Sequence, residues 1–231
     1  MAPRGRKEER VISWEERRKE LVSLRDQEKW QDILCMYKHP HEDGETEDWD
    51  CGLLWLRPSE RSLKFVGEQV SQHGLTKLLS IGCGSGLLEW LIHCSTGIHV
   101  EGLEVDAPWW SSRHAPPCFL PENQRHLLGP EETLSEDIPE DVALLFCYFN
   151  NEPAFNQYMN QYLGHCLIII GPAGVGDTFP QKDLVEGNSG EIAKGGRHCN
   201  PRPFSIKQPW VLSAAHNVST SPGDYIAVYT R

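Results

Sequence analysis

The feature that most constrains this chain is a cluster of glycines between two apolar runs of different period. Lys77-Leu-Leu-Ser-Ile81 reads as a buried strand, Gly82-Cys-Gly-Ser-Gly86 interrupts it, and Leu87-Leu-Glu-Trp-Leu-Ile-His93 reads as a helix. A strand that turns through glycines into a helix brings unpaired backbone N–H groups to the helix start. Glycine also permits left-handed backbone and lets a ligand approach the main chain closely. A purely structural tight turn would use the same residues, so the turn alone leaves ligand binding open.

The surrounding pattern fixes the fold class. Pro58-Ser-Glu60 opens a helix that runs to His73-Gly74, where glycine is the stop signal. Further strands are expected at His99–Val105, Arg125–Leu128, Asp141–Phe149 and His165–Ile170, with a helix over Asn156–Tyr162. Alternating strands and helices imply a mainly parallel sheet covered on both faces. Trp210–His216 and Asp224–Thr230 flank the short turn Ser219-Thr-Ser-Pro-Gly223, so these two strands must be antiparallel. The expected architecture is α/β, a doubly wound, mainly parallel seven-stranded sheet ending in an antiparallel hairpin. Residues 58–231 would form it, and residues 1–57 a charged helical extension with an acidic linker at 39–50. In the extension, Val11, Trp14, Leu21 and Leu24 recur at helical spacing. This suits a helix lying on the main domain, with a partner-binding arm as the alternative.

A dinucleotide fingerprint, G-x-G-x-x-G, would need glycine where Leu87 stands, which argues against a pyrophosphate site. Glu104 falls at the end of the next strand, where an acid can accept hydrogen bonds from both ribose hydroxyls of a nucleoside. Asp106 competes for that role, and two solvated strand-end acids are the plainer reading.

Together, Leu78-Leu-Ser-Ile-Gly-Cys-Gly-Ser-Gly-Leu-Leu-Glu89 and Glu101-Gly-Leu-Glu-Val-Asp106 resemble the first two motifs of the seven-stranded S-adenosylmethionine-dependent methyltransferases. The terminal hairpin is similar to that family's last two strands. The resemblance covers residues 58–231. It implies S-adenosylmethionine as cofactor, with Ile81, Gly82, Cys83, Gly84 and Gly86 passing under its methionine part. It further implies Glu104 on the ribose, Val105 on the adenine, Glu131 or Glu132 at the adenine edge, and Cys147 to Asn150 bordering the transferred methyl. Tyr148, Asn150 and Asn151 are the candidates for positioning an acceptor. The chain departs from the family at Ser80, where members commonly carry an acid that anchors the cofactor's amino group. Its Phe149-Asn-Asn-Glu-Pro153 also lacks the double proline of amino-group methyltransferases, so the acceptor atom is not assigned.

The rest of the sequence narrows the alternatives. The 231 residues carry a net charge of −11, which disfavours bulk nucleic acid as partner and favours a protein side chain or small molecule as acceptor. Eight cysteines form no C-x-x-C pair and several lie in apolar runs, as reduced thiols of an intracellular protein do. His39, His41, Cys51, His198 and Cys199 fit no zinc-ligand spacing, so no metal is expected. No secretory signal opens the chain; a soluble, cytoplasmic protein is expected, with Arg4, Arg6 and Lys7 a weak nuclear address. Gly171-Pro-Ala-Gly-Val-Gly-Asp-Thr178 imitates a phosphate loop, but Asp177 replaces its lysine and would repel phosphate. Residues 171–209, with Lys194, Arg197, His198 and Arg202, read as either a covering loop or a plain insertion. Trp109 and Trp110 read as core, with a pocket wall as the alternative. Two functions remain: a methyltransferase, or a non-catalytic cofactor-binding or protein-interaction module on the same fold, with the N-terminal helix as a route to a protein partner.

Overall fold

The computed structural model describes residues 13–37, 52–129, 132, 137–172, 210–218 and 224–231. Within them lie six helices: α1 (Trp14–Asp26), α2 (Trp30–Met36), α3 (Glu60–Gln72), α4 (Leu87–Thr96), α5 (Ala107–Trp110) and α6 (Glu152–Gln161). The strands are β1 (Lys77–Ile81), β2 (His99–Glu104), β3 (Arg125–Leu127), β4 (Val142–Cys147), β5 (Cys166–Pro172), β6 (Val211–Asn217) and β7 (Asp224–Thr230).

They form one seven-stranded sheet in the order β3-β2-β1-β4-β5-β7-β6. The strands are parallel except for β7, which runs antiparallel to β5 and β6. This is the expected architecture. The chain steps outward from β1 through β2 to β3, then returns to β1's other side for β4. That reversal makes the carboxyl end of β1 the topological switch point, the place where open α/β sheets bind ligands.

Side-chain alternation along the central strands explains the layering. Ala143 and Leu145 of β4 and Cys166, Ile168 and Ile170 of β5 enter one core; Leu144, Phe146, Leu167 and Ile169 enter the other. The first core is roofed by α3 and α4. The second is closed by Phe155, Tyr158 and Met159 of α6. Helix α3 starts on a capping box between Ser59 and Ser62. It ends at Gly74, whose φ of 71° allows Leu75 N–H to reach Val70 C=O at 3.1 Å.

Helix α1 also begins on a capping box, Ser13 with Glu16. Leu21 of α1, Ile33 and Leu34 of α2, and Leu53, Leu54 and Leu56 are all buried in the first core with Leu87 and Leu91 of α4. Arg25 donates to the Cys118 carbonyl at 2.6 Å and sits over the Phe119 ring. Helix α1 therefore lies on the main domain.

Several boundaries differ from the sequence reading. Helix α6 begins at Glu152 rather than Asn156, because Asn151 caps it by accepting from Ala154 N–H at 3.1 Å and Pro153 fits the first turn. Strand β4 stops at Cys147, two residues early, because Tyr148 adopts a left-handed φ of 50°. Strand β2 ends at Glu104, leaving Val105 outside it. Trp109 and Trp110 are not core: Trp109 is 45% exposed and Trp110 is half-buried. Their short helix is capped by left-handed Asp106, which turns the rings outward beside the glycine turn.

The described cysteines Cys35, Cys83, Cys94, Cys118, Cys147 and Cys166 are all free thiols. Among the described residues no three His, Cys, Asp or Glu side chains are grouped to hold a metal, and no helix is long and apolar enough to cross a membrane. The acidic linker, most of the 171–209 segment, the phosphate-loop imitation beyond Pro172, and His39, His41, Cys51, His198 and Cys199 lie outside the described residues. So does the Ser219–Gly223 turn, but Val218 N–H reaches Asp224 C=O at 2.9 Å and closes the hairpin.

Candidate functional site

The glycine turn leaves β1 in a conformation that only glycine adopts without strain. Gly82, Gly84 and Gly86 have φ of 75°, 57° and 74°. Their surroundings differ. A Cβ on Gly86 would lie 2.8 Å from Leu120 Cγ, and one on Gly82 would lie 3.3 Å from the Phe149 ring. A Cβ on Gly84 would meet nothing nearer than Trp110 at 3.9 Å. The turn is thus packed at both ends and open over its middle glycine.

Glu104, at the tip of β2, faces that opening. Its Oε2 accepts from Gly84 N–H at 2.7 Å and its Oε1 from Val105 N–H at 2.8 Å. Burial pushes its carboxyl above the usual range, the two N–H groups and the Arg125 guanidinium oppose that push, and Asp106 adds to it. Arg125, the first residue of β3, lies 4.7 Å over the Trp110 ring and has one η nitrogen 3.5 Å from the Gly84 carbonyl. Its buried Nε has no hydrogen-bond partner. Val105 is 47% exposed beside these groups, an uncovered apolar step next to a carboxylate.

Beneath the turn, Ile81 is buried in the second core. Cys83 points down onto β2, since a Cβ on Gly102 would lie 2.6 Å from its Sγ. Burial, and then Glu89 and Glu104, push the Cys83 thiol up, which disfavours the nucleophilic thiolate. Ser85 donates to the Leu53 carbonyl at 2.9 Å, which pins the 52–57 segment across the front of the turn.

The tip of β4 forms the other wall. Cys147 is half-buried, its thiol held well up by burial and then by Glu89 and Asp224. The Asp224 carboxylate lies by the hydroxyl of left-handed Tyr148, and burial together with that negative charge pushes the phenol up. Trp55, 55% exposed, stacks on the Tyr148 ring with centroids 6.1 Å apart. Asn150 is exposed, while the Asn151 side chain is occupied as the α6 cap. Glu132 folds back onto Gly129 N–H at 2.7 Å, and Glu131 lies outside the described residues.

The structure adds residues that the sequence reading missed. Trp55, Arg125 and Asp224 reach the site only through tertiary contacts, and no local pattern marks them. Glu89 is different. Helix α4 buries every position from Leu87 to Ile92, Glu89 included, and Glu89 is 2% exposed. A lone carboxylate inside an apolar stretch was a readable signal. A hollow of about 490 Å³ also lies between α3 and β6, lined by Glu60, Arg61, Lys64, Phe65, Glu68 and His216. Its charges are mixed, and none of the expected site residues lines it.

No family model and no curated protein matches the chain in sequence. Solved structures similar to it include mitomycin 7-O-methyltransferase (11% identity over 75% of this chain and 54% of that one, TM-score 0.41). Another is magnesium protoporphyrin IX methyltransferase from Synechocystis PCC 6803 with bound SAH (11% identity, 92% of this chain and 99% of that one, TM-score 0.40). A third is SAM-bound CalS10, an amino pentose methyltransferase from Micromonospora echinaspora (18% identity, 48% and 49%, TM-score 0.33). The chain spans about half the length of the first and the third. Likenesses this distant carry no weight for what the site binds.

Proposed function

We propose that the chain is an S-adenosylmethionine-dependent methyltransferase acting on a protein side chain or a small molecule. One observation carries the reading: at the switch point of the sheet, the Glu104 carboxylate is held against an open, left-handed Gly84. An acid fixed there accepts from the hydroxyls of a nucleoside sugar, and the open glycine lets the ligand lie on the backbone.

The charge of the site selects among nucleosides. Glu104, Glu89 and Asp224 border the turn and the β4 tip, and Arg125 lies beside Glu104. Carboxylates so placed repel a pyrophosphate and favour a cationic nucleoside. Exposed Val105 offers an apolar face to a base. The residues present therefore fit a sulfonium nucleoside, with Gly82, Gly84 and Gly86 along its chain, Glu104 at the ribose and Val105 at the adenine.

When bound, the cofactor supplies an electrophilic methyl group. The task of the protein is to fix donor and acceptor in line and to exclude water. Trp55 and the Tyr148 ring, stacked on each other, wall the side from which an acceptor would approach. Asn150 stands exposed at the same edge. An acceptor with a free lone pair needs no strong base.

Calorimetric titration with S-adenosylmethionine tests the reading. The wild-type protein should bind, and Gly84→Arg, which fills the open space, should lose at least a hundredfold in affinity. No heat from the wild-type protein would sink the proposal. Binding without transfer of radiolabelled methyl to any fraction of a cell extract would replace it with a non-catalytic cofactor-binding module.

A further inference from the structure

We infer that Glu89 binds the ammonium end of the nucleoside's amino-acid tail, supplying from helix α4 the carboxylate that Ser80 does not supply from strand β1. This inference rests on the proposed function and deepens it.

Glu89 lies in the first turn of α4, immediately beyond the glycine turn, and is 2% exposed. Its Oε1 accepts from the Ser80 hydroxyl at 2.6 Å, while its buried Oε2 has no partner. Ser80 is the next-to-last residue of β1, which pairs with β4, and Glu89 follows the glycine turn in α4, so the bond between them fixes the carboxylate at the carboxyl end of β1. It therefore sits between the ends of β1 and β4, behind the open turn.

The groups facing it are Ser80 from β1, its own N–H from α4, Cys83 from the turn, Glu104 from β2 and Cys147 from β4. Among the described residues none of these is a cation; Arg125 acts on Cys83 and Glu104 rather than on Glu89. Burial accordingly pushes the Glu89 carboxyl up to about 7. A buried carboxylate with one unmet oxygen and no counter-ion destabilises a fold unless something else completes it. The helix N-terminus and the Ser80 hydroxyl keep the group oriented, and the missing partner is a donor with positive charge. A nucleoside whose sugar sits on Glu104 offers one such group, the α-ammonium at the far end of its chain.

Three ligands separate this contact from general nucleoside binding: S-adenosylmethionine and S-adenosylhomocysteine, which carry the ammonium, and 5′-methylthioadenosine, which does not. In calorimetry, Glu89→Gln should weaken the first two by roughly 10- to 100-fold, as expected for a lost charge-assisted hydrogen bond, and leave the third within about twofold. Equal weakening of all three, or unchanged affinity for S-adenosylhomocysteine, would overturn the assignment.

A second measurement needs no variant. At pH 6.5 the apo carboxyl is mostly protonated, so pairing with an ammonium must expel most of a proton. The heat of S-adenosylhomocysteine binding should then depend on the ionisation heat of the buffer, and more so than that of 5′-methylthioadenosine. Glu104 contributes to both ligands alike, so it cancels in the difference. Equal proton release by the two ligands would overturn the inference. If the wild-type protein binds 5′-methylthioadenosine but discriminates no ammonium, the inference alone falls. If it binds none of the three, the proposed function falls with it.

Discussion

The two sides of strand β1 are built by different means. On the β2 side, Gly84, Glu104, Val105 and Arg125 come from one stretch of chain, and backbone N–H groups fix the carboxylate. On the β4 side, Trp55, Tyr148 and Asp224 come from distant parts of the chain and meet through ring stacking and the approach of a carboxylate to a phenol. The first arrangement suits a constant ligand, since its geometry is set by adjacent parallel strands. The second suits a variable one, because each residue can change without disturbing the sheet.

If that contrast is right, lesions on the β2 side act on folding and cofactor affinity, and lesions on the β4 side act on turnover. The largest effect is expected from Gly86→Val, which places a branched side chain at a φ of 74° and against Leu120. It should cost about 3–5 kcal/mol and be visible in urea or thermal unfolding, whereas Gly84→Ala, with open space, should cost about 1–2 kcal/mol.

Next is the pH dependence of stability. The Glu89 carboxyl lies near 7 in the folded protein against 4.5 in a free chain, so the folded state holds the extra proton between those values. Stability from this group is therefore present at low pH and is lost as pH rises from about 4.5 to about 7. The loss is about 3 kcal/mol, and it should be absent in Glu89→Gln melts run over the same range. A wild-type protein that gains stability relative to Glu89→Gln on that rise would contradict the burial of an unpaired carboxylate.

Glu104→Ala should weaken S-adenosylmethionine by about 10- to 100-fold in calorimetry, removing the sugar contact and leaving Gly84 N–H without its acceptor. Tyr148→Phe should lower methyl transfer by about tenfold while cofactor affinity stays put, because it removes the hydroxyl by Asp224 without touching the glycine turn. An equal fall in cofactor binding would erase the proposed division between the two sides. The smallest effect is expected from Trp55→Ala. With the ring largely exposed, stability should change by no more than about 0.5–1 kcal/mol, while the acceptor KM rises.

What was legible in the sequence follows the same contrast. The glycine turn could be read because left-handed backbone and close approach restrict residue choice within a few positions. Glu104 could be read because one strand separates it from the turn, and the parallel register of β1 and β2 sets it beside Gly84. Tyr148 is a candidate through the family resemblance, inside a strand expected to run to Phe149, and neither its left-handed backbone nor the use of Asn151 as a cap is legible in the sequence. Trp110 was assigned to core on hydrophobicity, whereas a left-handed Asp106 and a stacked Arg125 hold it at the site's rim.

By itself, then, the sequence determined the elements, their parallel order with an antiparallel end, and the backbone bend at the switch point. These depend on local conformational preference and on period-2 and period-3.6 burial, which neighbouring residues encode. Only the tertiary structure decided that Glu89 is buried with one carboxylate oxygen on Ser80 and the other unmet, and that Trp55 and Asp224 meet at Tyr148. Burial and charge environment are properties of what packs around a residue, and that packing is contributed by chain far away in sequence.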